Sequence, residues 1–315
     1  MIYVRCRSLD PRFNLALEEY LLSLDTDEEI FCLWRNGPAV VSGRFQNIFA
    51  ETDVPLAEDR GVAVIRRITG GGTVYHDGGN INYTVIRSKD ENGLDYPAFI
   101  APVAAALREL CVPAEISGSC VTVKGKKISG SAQTTVGGRV LHHGTLLYSA
   151  DLNDLRRFTT PPSACFDSRA IGSNPAPVGN MIDVLGGDPD PEEFADEIGR
   201  IVSGGAAPLE PESFDTDAIE KLAEKYASWE WNIGSSPKFS FRGGKDTKKG
   251  KARLSYTSKR GVIDGAEWSG PYENEIKNVL IGARLDRAAL RDALTRATSD
   301  GSFADEAAGF ILSGK

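Results

Sequence analysis

No apolar run in this chain reaches the roughly 20 residues needed to span a bilayer, so membrane insertion is not expected. The opening residues Met1-Ile2-Tyr3-Val4-Arg5-Cys6 lack a signal-peptide layout, and cytoplasmic residence is expected. A basic excess is missing too. Lys and Arg number 36 against 44 Asp and Glu, a formal net charge of −8, which argues against DNA or RNA as the main partner. Cysteines are few: Cys6, Cys32, Cys111, Cys120 and Cys165. None forms a Cys-x-x-Cys pair, which removes the compact zinc and dithiol motifs, and the odd number fits a reducing compartment. The only histidines are His76, His142 and His143, with no i, i+4 pair of the zinc-protease kind. There is no Gly-x-Ser-x-Gly nucleophile elbow, no Gly-x-x-x-x-Gly-Lys-Ser/Thr loop and no Gly-x-Gly-x-x-Gly opening a helix.

What is present is an apolar run, Val62 to Ile65, leading into Arg66-Arg67-Ile68-Thr69-Gly70-Gly71-Gly72-Thr73-Val74-Tyr75-His76-Asp77. Three glycines let the backbone turn tightly and approach a ligand without Cβ atoms in the way. Successive N–H groups in such a turn form a concavity for anions, and two arginines add positive charge suited to phosphate or carboxylate. The pattern after the glycines, Asn80 to Ile86, is that of a strand. Strand, glycine loop, strand differs from the dinucleotide-binding arrangement. An anionic small molecule, most simply a nucleotide, is the expected ligand.

The periodicity predicts a mixed α/β chain. Asp10-Pro11 caps a helix, with Pro at its first position. Strands are predicted at 30–35, 39–42, 62–67 and 80–86, a helix at 96–110, then strands near 120–123, 127–134 and 140–149. Helices are expected from 151 to 158, 191 to 202 and 215 to 227. Residues 159–180, with four prolines, read as a long loop. The lysine-rich stretch 242–251 reads as a solvated hairpin turn, followed by strands 252–257 and 261–268 and helices 274–281 and 287–297. The expected domains are residues 1–236 and a small α+β unit, 237–315.

A second stretch, Gly125-Lys126-Lys127-Ile128-Ser129-Gly130-Ser131-Ala132-Gln133, carries a lysine into a strand lined by small residues. Lys126 and Lys127 alternate to opposite faces, and Lys127 is the candidate for a shared pocket. The third stretch is His142-His143-Gly144-Thr145-Leu146-Leu147. His142 reads as a satisfied strand histidine.

With these three stretches in order, the chain resembles the lipoate–protein ligase A family. Phe13-Asn14-Leu15-Ala16, Leu33-Trp34-Arg35, Gly79-Asn80 and Ser228-Trp229-Glu230-Trp231-Asn232 extend the resemblance over nearly the full length. The resemblance implies an α/β catalytic domain of the biotin/lipoate ligase type, with mixed sheets and flanking helices, and the small accessory domain. It implies two steps: lipoate or octanoate and ATP, with Mg²⁺, give acyl-AMP, and the acyl group then passes to a lysine of a carrier. Carriers would be lipoyl domains of 2-oxoacid dehydrogenases or the glycine-cleavage H protein, and a monomer is expected. By resemblance, Lys127 is catalytic and contacts both acyl carbonyl and phosphate. Arg67, Gly70, Gly71, Gly72, Thr73, Val74, Tyr75 and Asn80 would bind ATP, Arg67 through its guanidinium and Tyr75 beside adenine. Gly72 and His143 would join Lys127 at the lipoate. No protein ligand for a metal is identified.

One position departs from the family. Its Asn-Asp after Ser-Gly is replaced by Cys120-Val121 following Ser117-Gly118-Ser119. That puts adenylation in question and leaves two alternatives open. One is an ATP-independent lipoyl or octanoyl amidotransferase working through a thioester on Cys165 or Cys120. The other is a non-catalytic binder of lipoyl carriers.

Overall fold

The computed structural model describes residues 1–89, 95–160, 165–187 and 190–315. The first part runs β1 (Ile2–Arg5), α1 (Pro11–Ser23), β2 (Ile30–Arg35), β3 (Ala39–Ser42), α2 (Ile48–Glu51) and α3 (Val54–Asp59). Then come β4 (Ala63–Arg66), β5 (Val74–His76), β6 (Asn80–Ser88), α4 (Tyr96–Glu109), β7 (Glu115–Ser117) and β8 (Cys120–Val123). They are followed by β9 (Lys126–Val136), β10 (Arg139–Leu147), α5 (Leu152–Thr159), β11 (Phe166–Ser168), α6 (Ile182–Leu185), α7 (Pro191–Val202), α8 (Thr216–Ala227) and α9 (Trp229–Asn232). The last part holds β12 (Phe239–Thr247), β13 (Gly250–Lys259), β14 (Val262–Ser269), α10 (Glu273–Leu280), α11 (Arg287–Thr298) and α12 (Gly301–Ser313).

Strand alternation sets the layers. In β2, Phe31 and Leu33 join a core with Phe99, Val103 and Leu107 of α4 and Ile198 of α7. Ile30, Cys32 and Trp34 join the opposite core, with Leu15, Leu17 and Leu21 of α1 and Ile219 of α8. β2 is therefore apolar on both faces, as a central strand must be. It belongs to a seven-stranded sheet ordered β1-β2-β6-β10-β9-β8-β7, helices covering both faces. A three-stranded sheet, β4-β3-β5, packs over the α1 side through Ala39, Val41 and Ile65.

A third sheet, β11-β12-β13-β14, has Phe239, Phe241, Leu254, Tyr256 and Trp268 on one core with α10, α11 and α12. Ile48, Phe49 and Val54 from the first part of the chain share that core.

Several elements differ from the sequence reading. The lysine-rich stretch is not an isolated turn: β12 and β13 run through it, and Lys249 pairs with Asp300 at 3.1 Å. Charge density masked the alternating Phe239, Phe241, Ala252 and Leu254 that hold the hairpin down. Within the expected loop 159–180, β11 pairs with β12 (residues 161–164 lie outside the described residues). α12 went unread because its small residues hide a helical stripe, Phe303, Ala304, Ala307, Ala308 and Ile311.

Arg66, at the end of β4, is fully buried. Its guanidinium donates to the carbonyls of Gly43 (2.9 Å), Arg44 (3.2 Å), Gln46 (2.9 Å) and Asn232 (3.0 Å) and to Ser236 Oγ (2.9 Å). Burial lowers its pKa to about 10, so the charge persists at neutral pH. One side chain thus ties β4, the 43–46 turn and the segment after α9. Replacing it strands buried carbonyls. An Arg66→Met variant is expected to lose about 3 kcal/mol of unfolding free energy in urea titration; a loss below about 1 kcal/mol would show that water replaces the guanidinium.

Candidate active site

β4 and β5 flank β3, so residues 67–73 must cross the end of the small sheet. The crossing is tight. Gly71 has φ +87°, and a Cβ on Gly43 would sit 2.1 Å from the Gly71 carbonyl oxygen. Arg67 holds the loop from inside. Its guanidinium donates to the carbonyls of Val41 (3.0 Å), Gly70 (2.5 Å) and Gly72 (2.8 Å) and to Thr69 Oγ1 (2.8 Å). Burial lowers its pKa to about 10, and it remains a cation. With loop carbonyls taken, the N–H groups of Gly70, Gly71 and Gly72 donate to no group among the described residues. They form the open, electropositive face of the loop. The Thr73 N–H is held by Ser173 Oγ at 2.9 Å.

Lys127 faces this loop because of a bulge. Val121 pairs with Ser129, but Thr122 pairs with Lys127, so Ile128 has no partner on β8. Such an insertion re-aims the neighbouring side chain. Ile128 enters the core, while Lys127 joins the face of Gly130 and Ala132. A Cβ on Gly130 would lie 2.7 Å from both Lys127 Cε and Nζ, so the lysine passes through space that only glycine leaves. The strand holding it is braced by Lys127 N–H to the Pro177 carbonyl (2.8 Å) and Gly179 N–H to the Lys127 carbonyl (3.1 Å). Nζ has no ion-pair partner among the described residues.

Between loop and lysine lies a cavity of about 350 Å³. Its floor is a row of residues crossing the large sheet. Cys120 pairs with Gly130, Gly130 N–H reaches Thr145 Oγ1 at 3.3 Å, Thr145 pairs with Asn82, and Asn82 pairs with Trp34. All five line the cavity, with Arg67, Gly71, Gly72, Thr73, Val74 and His76 from the small sheet and loop. No Asp or Glu is in the lining.

The next row carries Ala132, His143 and Thr84. His143 Nδ1 lies 2.9 Å from Glu18 Oε1, and Nε2 lies 2.8 Å from Thr69 Oγ1. The Glu18 carboxylate only accepts, so His143 Nδ1 carries a proton toward it, while Thr69 Oγ1 accepts from Arg67 Nε and lies against His143 Nε2. Glu18 also accepts the Thr84 hydroxyl, which in turn accepts from Trp34 Nε1 at 2.9 Å. A buried chain therefore runs from Trp34 through Glu18, His143 and Thr69 to Arg67 and the glycine loop. Glu18, Thr69 and Trp34 carry no catalytic motif, and sequence reading missed them.

The expected residues divide clearly. Lys127, Gly71, Gly72, Thr73, Val74, His143 and Cys120 line the cavity. Arg67 lines it too, and four of its five N–H donors hold the loop carbonyls and Thr69, so in this structure it supports the loop. Tyr75 does not line it: period-2 alternation sends Val74 and His76 toward the cavity and Tyr75 to the other face, where it is buried and stacks on Phe158 at 5.4 Å. Asn80 lies one step beyond Asn82 on the same face; it is buried outside the lining and donates to Asn82 Oδ1 at 3.0 Å. Gly70 shapes the loop without lining the cavity. Cys165 lines a separate depression with Phe241 and Tyr256, sharing no residue with the first. It thus lies apart from Lys127 and the glycine loop. Val121 is buried in the core, so the missing carboxylate at that position would not have faced the cavity.

Comparison with known proteins identifies the family. Residues 10–202 match the lipoyl protein ligase A/B catalytic domain. The chain is 32% identical over 299 residues to the lipoate-protein ligase LplJ of Bacillus subtilis, covering 90% of each. A lipoate-protein ligase A solved with ATP is 26% identical with TM-score 0.61, covering 73% of this chain and 97% of that one. The bipartite lipoate protein ligase of Thermoplasma acidophilum, from a structural study with its E2 lipoyl domain, is 25% identical with TM-score 0.60, covering 74% and 96%. The chain belongs to the lipoate–protein ligase family.

Two histidines in this region are buried in neutral form. Burial, aided by Arg67 and His143, lowers the pKa of His76 to about 3. His142, stacked on Phe99 at 5.3 Å, is lowered to about 3 mainly by burial. It is the satisfied strand histidine expected: Nδ1 meets Gln133 Nε2 at 2.8 Å. The unfolded chain takes up protons on both rings below about pH 6.5 that the folded chain refuses. Their stabilising contribution is present above pH 6.5 and lost as pH falls toward 3. Urea unfolding is expected to register roughly 2 kcal/mol per histidine between pH 7 and pH 5. A His142→Gln variant should lose correspondingly less over the same interval.

Proposed function

We propose that this protein is an ATP-dependent lipoate–protein ligase acting through acyl-AMP. One observation carries the reading. Lys127 Nζ, with no ion-pair partner among the described residues, shares a cavity with the open N–H groups of a glycine loop. Joining a carboxylate to an α-phosphate brings two anions together, and preorganised positive groups offset that repulsion best where charge develops.

In the first step a carboxylate oxygen attacks the α-phosphorus, and the bond to pyrophosphate breaks. Lys127 contacts the acyl carbonyl and the phosphate. The N–H groups of Gly71 and Gly72 meet phosphate oxygens, with Gly70 shaping the loop, and Thr73 and Val74 line the nucleotide. The acyl chain lies along the row Gly130, Thr145, Asn82 and Trp34, near His143. In the second step the carrier's lysine amine attacks the acyl carbon, AMP departs with the bonding pair, and the amine loses its proton. Mg²⁺ fits this site only through the substrate, since the lining lacks carboxylates and Mg²⁺ is ordinarily held by nucleotide phosphates and water; it would neutralise phosphate charge.

The partners we infer are lipoyl domains and H-type carriers, met by a monomer in the cytoplasm. Among the described residues no helix is long and apolar enough to cross a membrane. Residues 1–236 would act as the catalytic domain and 237–315 as the accessory one.

The test is lipoate-dependent exchange of pyrophosphate into ATP. Lys127→Ala is expected to reduce exchange by at least about 100-fold and to abolish transfer from preformed acyl-AMP. An unchanged rate would overturn the assignment. Gly130→Ala, which pushes the lysine aside, should cost roughly tenfold with the fold intact. Cys120→Ser should keep exchange; loss there, with ATP-independent transfer in the parent, would favour the thioester reading.

A further inference from the structure

The end of the cavity farthest from Lys127 is not simply apolar. Leu15, Val41, Val74 and Trp34 supply hydrocarbon surface there. Among them stand two polar side chains with unmet hydrogen-bonding capacity, His76 and Asn82. His76 is 3% exposed, and its Nε2 has no partner among the described residues. Its tautomer follows from its neighbours. Asn14 Nδ2 donates to the carbonyls of Ser8 and Arg35 and to Asn36 Oδ1. Asn36 must therefore turn its Nδ2 to His76 Nδ1, at 3.0 Å. His76 Nδ1 accepts, so Nε2 carries the proton and is an unpaired donor. Asn82, 2% exposed, has Oδ1 taken by Asn80 and Nδ2 unpaired.

The other polar groups at this end are closed. His143 is held on both nitrogens by Glu18 and Thr69, and Trp34 Nε1 is held by Thr84. A ligand reaching this end thus meets two free donors in an apolar wall. The distance is right for the acyl chain. Asn82 on β6 lies two strands from Gly130 on β9, about 10 Å across the sheet at ordinary strand spacing. That is close to the reach of the octanoyl backbone shared by octanoate and lipoate.

We infer that His76, with Asn82, is a specificity-determining residue that favours an acyl chain bearing sulfur at its far end over a saturated one. The inference rests on the ligase reading and deepens it. A dithiolane offers polarisable sulfur atoms that accept weak hydrogen bonds and pack well on aromatic edges such as Trp34 and His76. An alkyl terminus excludes water from the same donors and gives nothing back, and a buried donor left without a partner is costly. The two acids are otherwise alike in carboxylate and chain. The discrimination therefore resides at this end.

The experiment compares lipoate with octanoate by calorimetry and by kcat/KM in pyrophosphate exchange, in the parent, His76→Phe and His76→Gln. The parent is expected to prefer lipoate by about tenfold. His76→Phe keeps a ring but removes the donor, and should bring the two acids near parity. It also leaves Asn36 without its partner, a cost to folding that falls equally on both ligands and cancels in the ratio. His76→Gln, which restores an N–H donor, should recover much of the preference. If His76→Phe does not fold, Asn82→Leu is measured in its place, with the same collapse of the ratio expected. A parent without preference, as a retained water on the donors would produce, overturns the inference. So does a ratio unchanged in the folded variant. In both cases exchange with either acid leaves the ligase reading standing; a parent that binds and activates neither acid removes both.

Discussion

Two buried guanidinium groups on adjacent residues support the whole catalytic region. A cation out of water must have its donors satisfied, or it is too costly to bury. Arg66 and Arg67 follow one another at the end of β4 and point to opposite sides, as neighbours on an extended chain do. Arg66 collects the carbonyls of the 43–46 turn and of Asn232. Arg67 collects those of Val41, Gly70 and Gly72. Each loop is shaped by the demand of a charge for acceptors. The glycine loop then turns its carbonyls inward and leaves N–H groups for an anion. Both arginines support backbone, and the backbone that Arg67 holds has N–H groups left open beside the cavity.

The large sheet supplies the other half of the site by register. A single row, Cys120, Gly130, Thr145, Asn82 and Trp34, crosses five strands and forms the cavity floor. Lys127 reaches the head of that row only because Ile128 is inserted as a bulge and Gly130 has no side chain. Lysine and loop are thus held by different sheets, and the reacting groups would meet in the space between. The chain from Trp34 through Glu18 and His143 to Thr69 joins the two sheets by hydrogen bonds. Buried polar networks of this kind are satisfied member by member or not at all. His76 and Asn82 are therefore notable as the groups in the same wall that are left open.

Much of the site could be read in advance. The triple glycine, the lysine among small residues and the His-Gly-Thr stretch each announce themselves by composition. Lys127, Gly72, Thr73 and His143 do line one cavity. Tyr75 does not, because a one-residue shift along a strand moves a side chain to the other face; Asn80 shares the face of Asn82 but lies beyond it, bonded to its Oδ1. The position of Cys165 could not be read from its loop; β11, which follows it, pairs with β12 and sets it beside another surface. Glu18 and Trp34 were invisible as site residues, since a glutamate in an amphipathic helix and a tryptophan in a strand have ordinary reasons to be there.

Local sequence by itself determined the elements with strong periodicity or caps: the Asp10-Pro11 helix start, the doubly apolar β2 and the tight turn at the glycines. These follow from backbone sterics and side-chain period, which act within a few residues. It also determined the family, through motifs kept in order. Tertiary structure alone decided which face each residue presents and what partners it finds. Register, the bulge at Ile128 and the sharing of one core by Phe49 and Phe239 depend on contacts between residues far apart in the chain. The same holds for hydrogen-bond valence. Whether His76 is satisfied or open is a property of its neighbours in space, and no reading of its own segment contains that information.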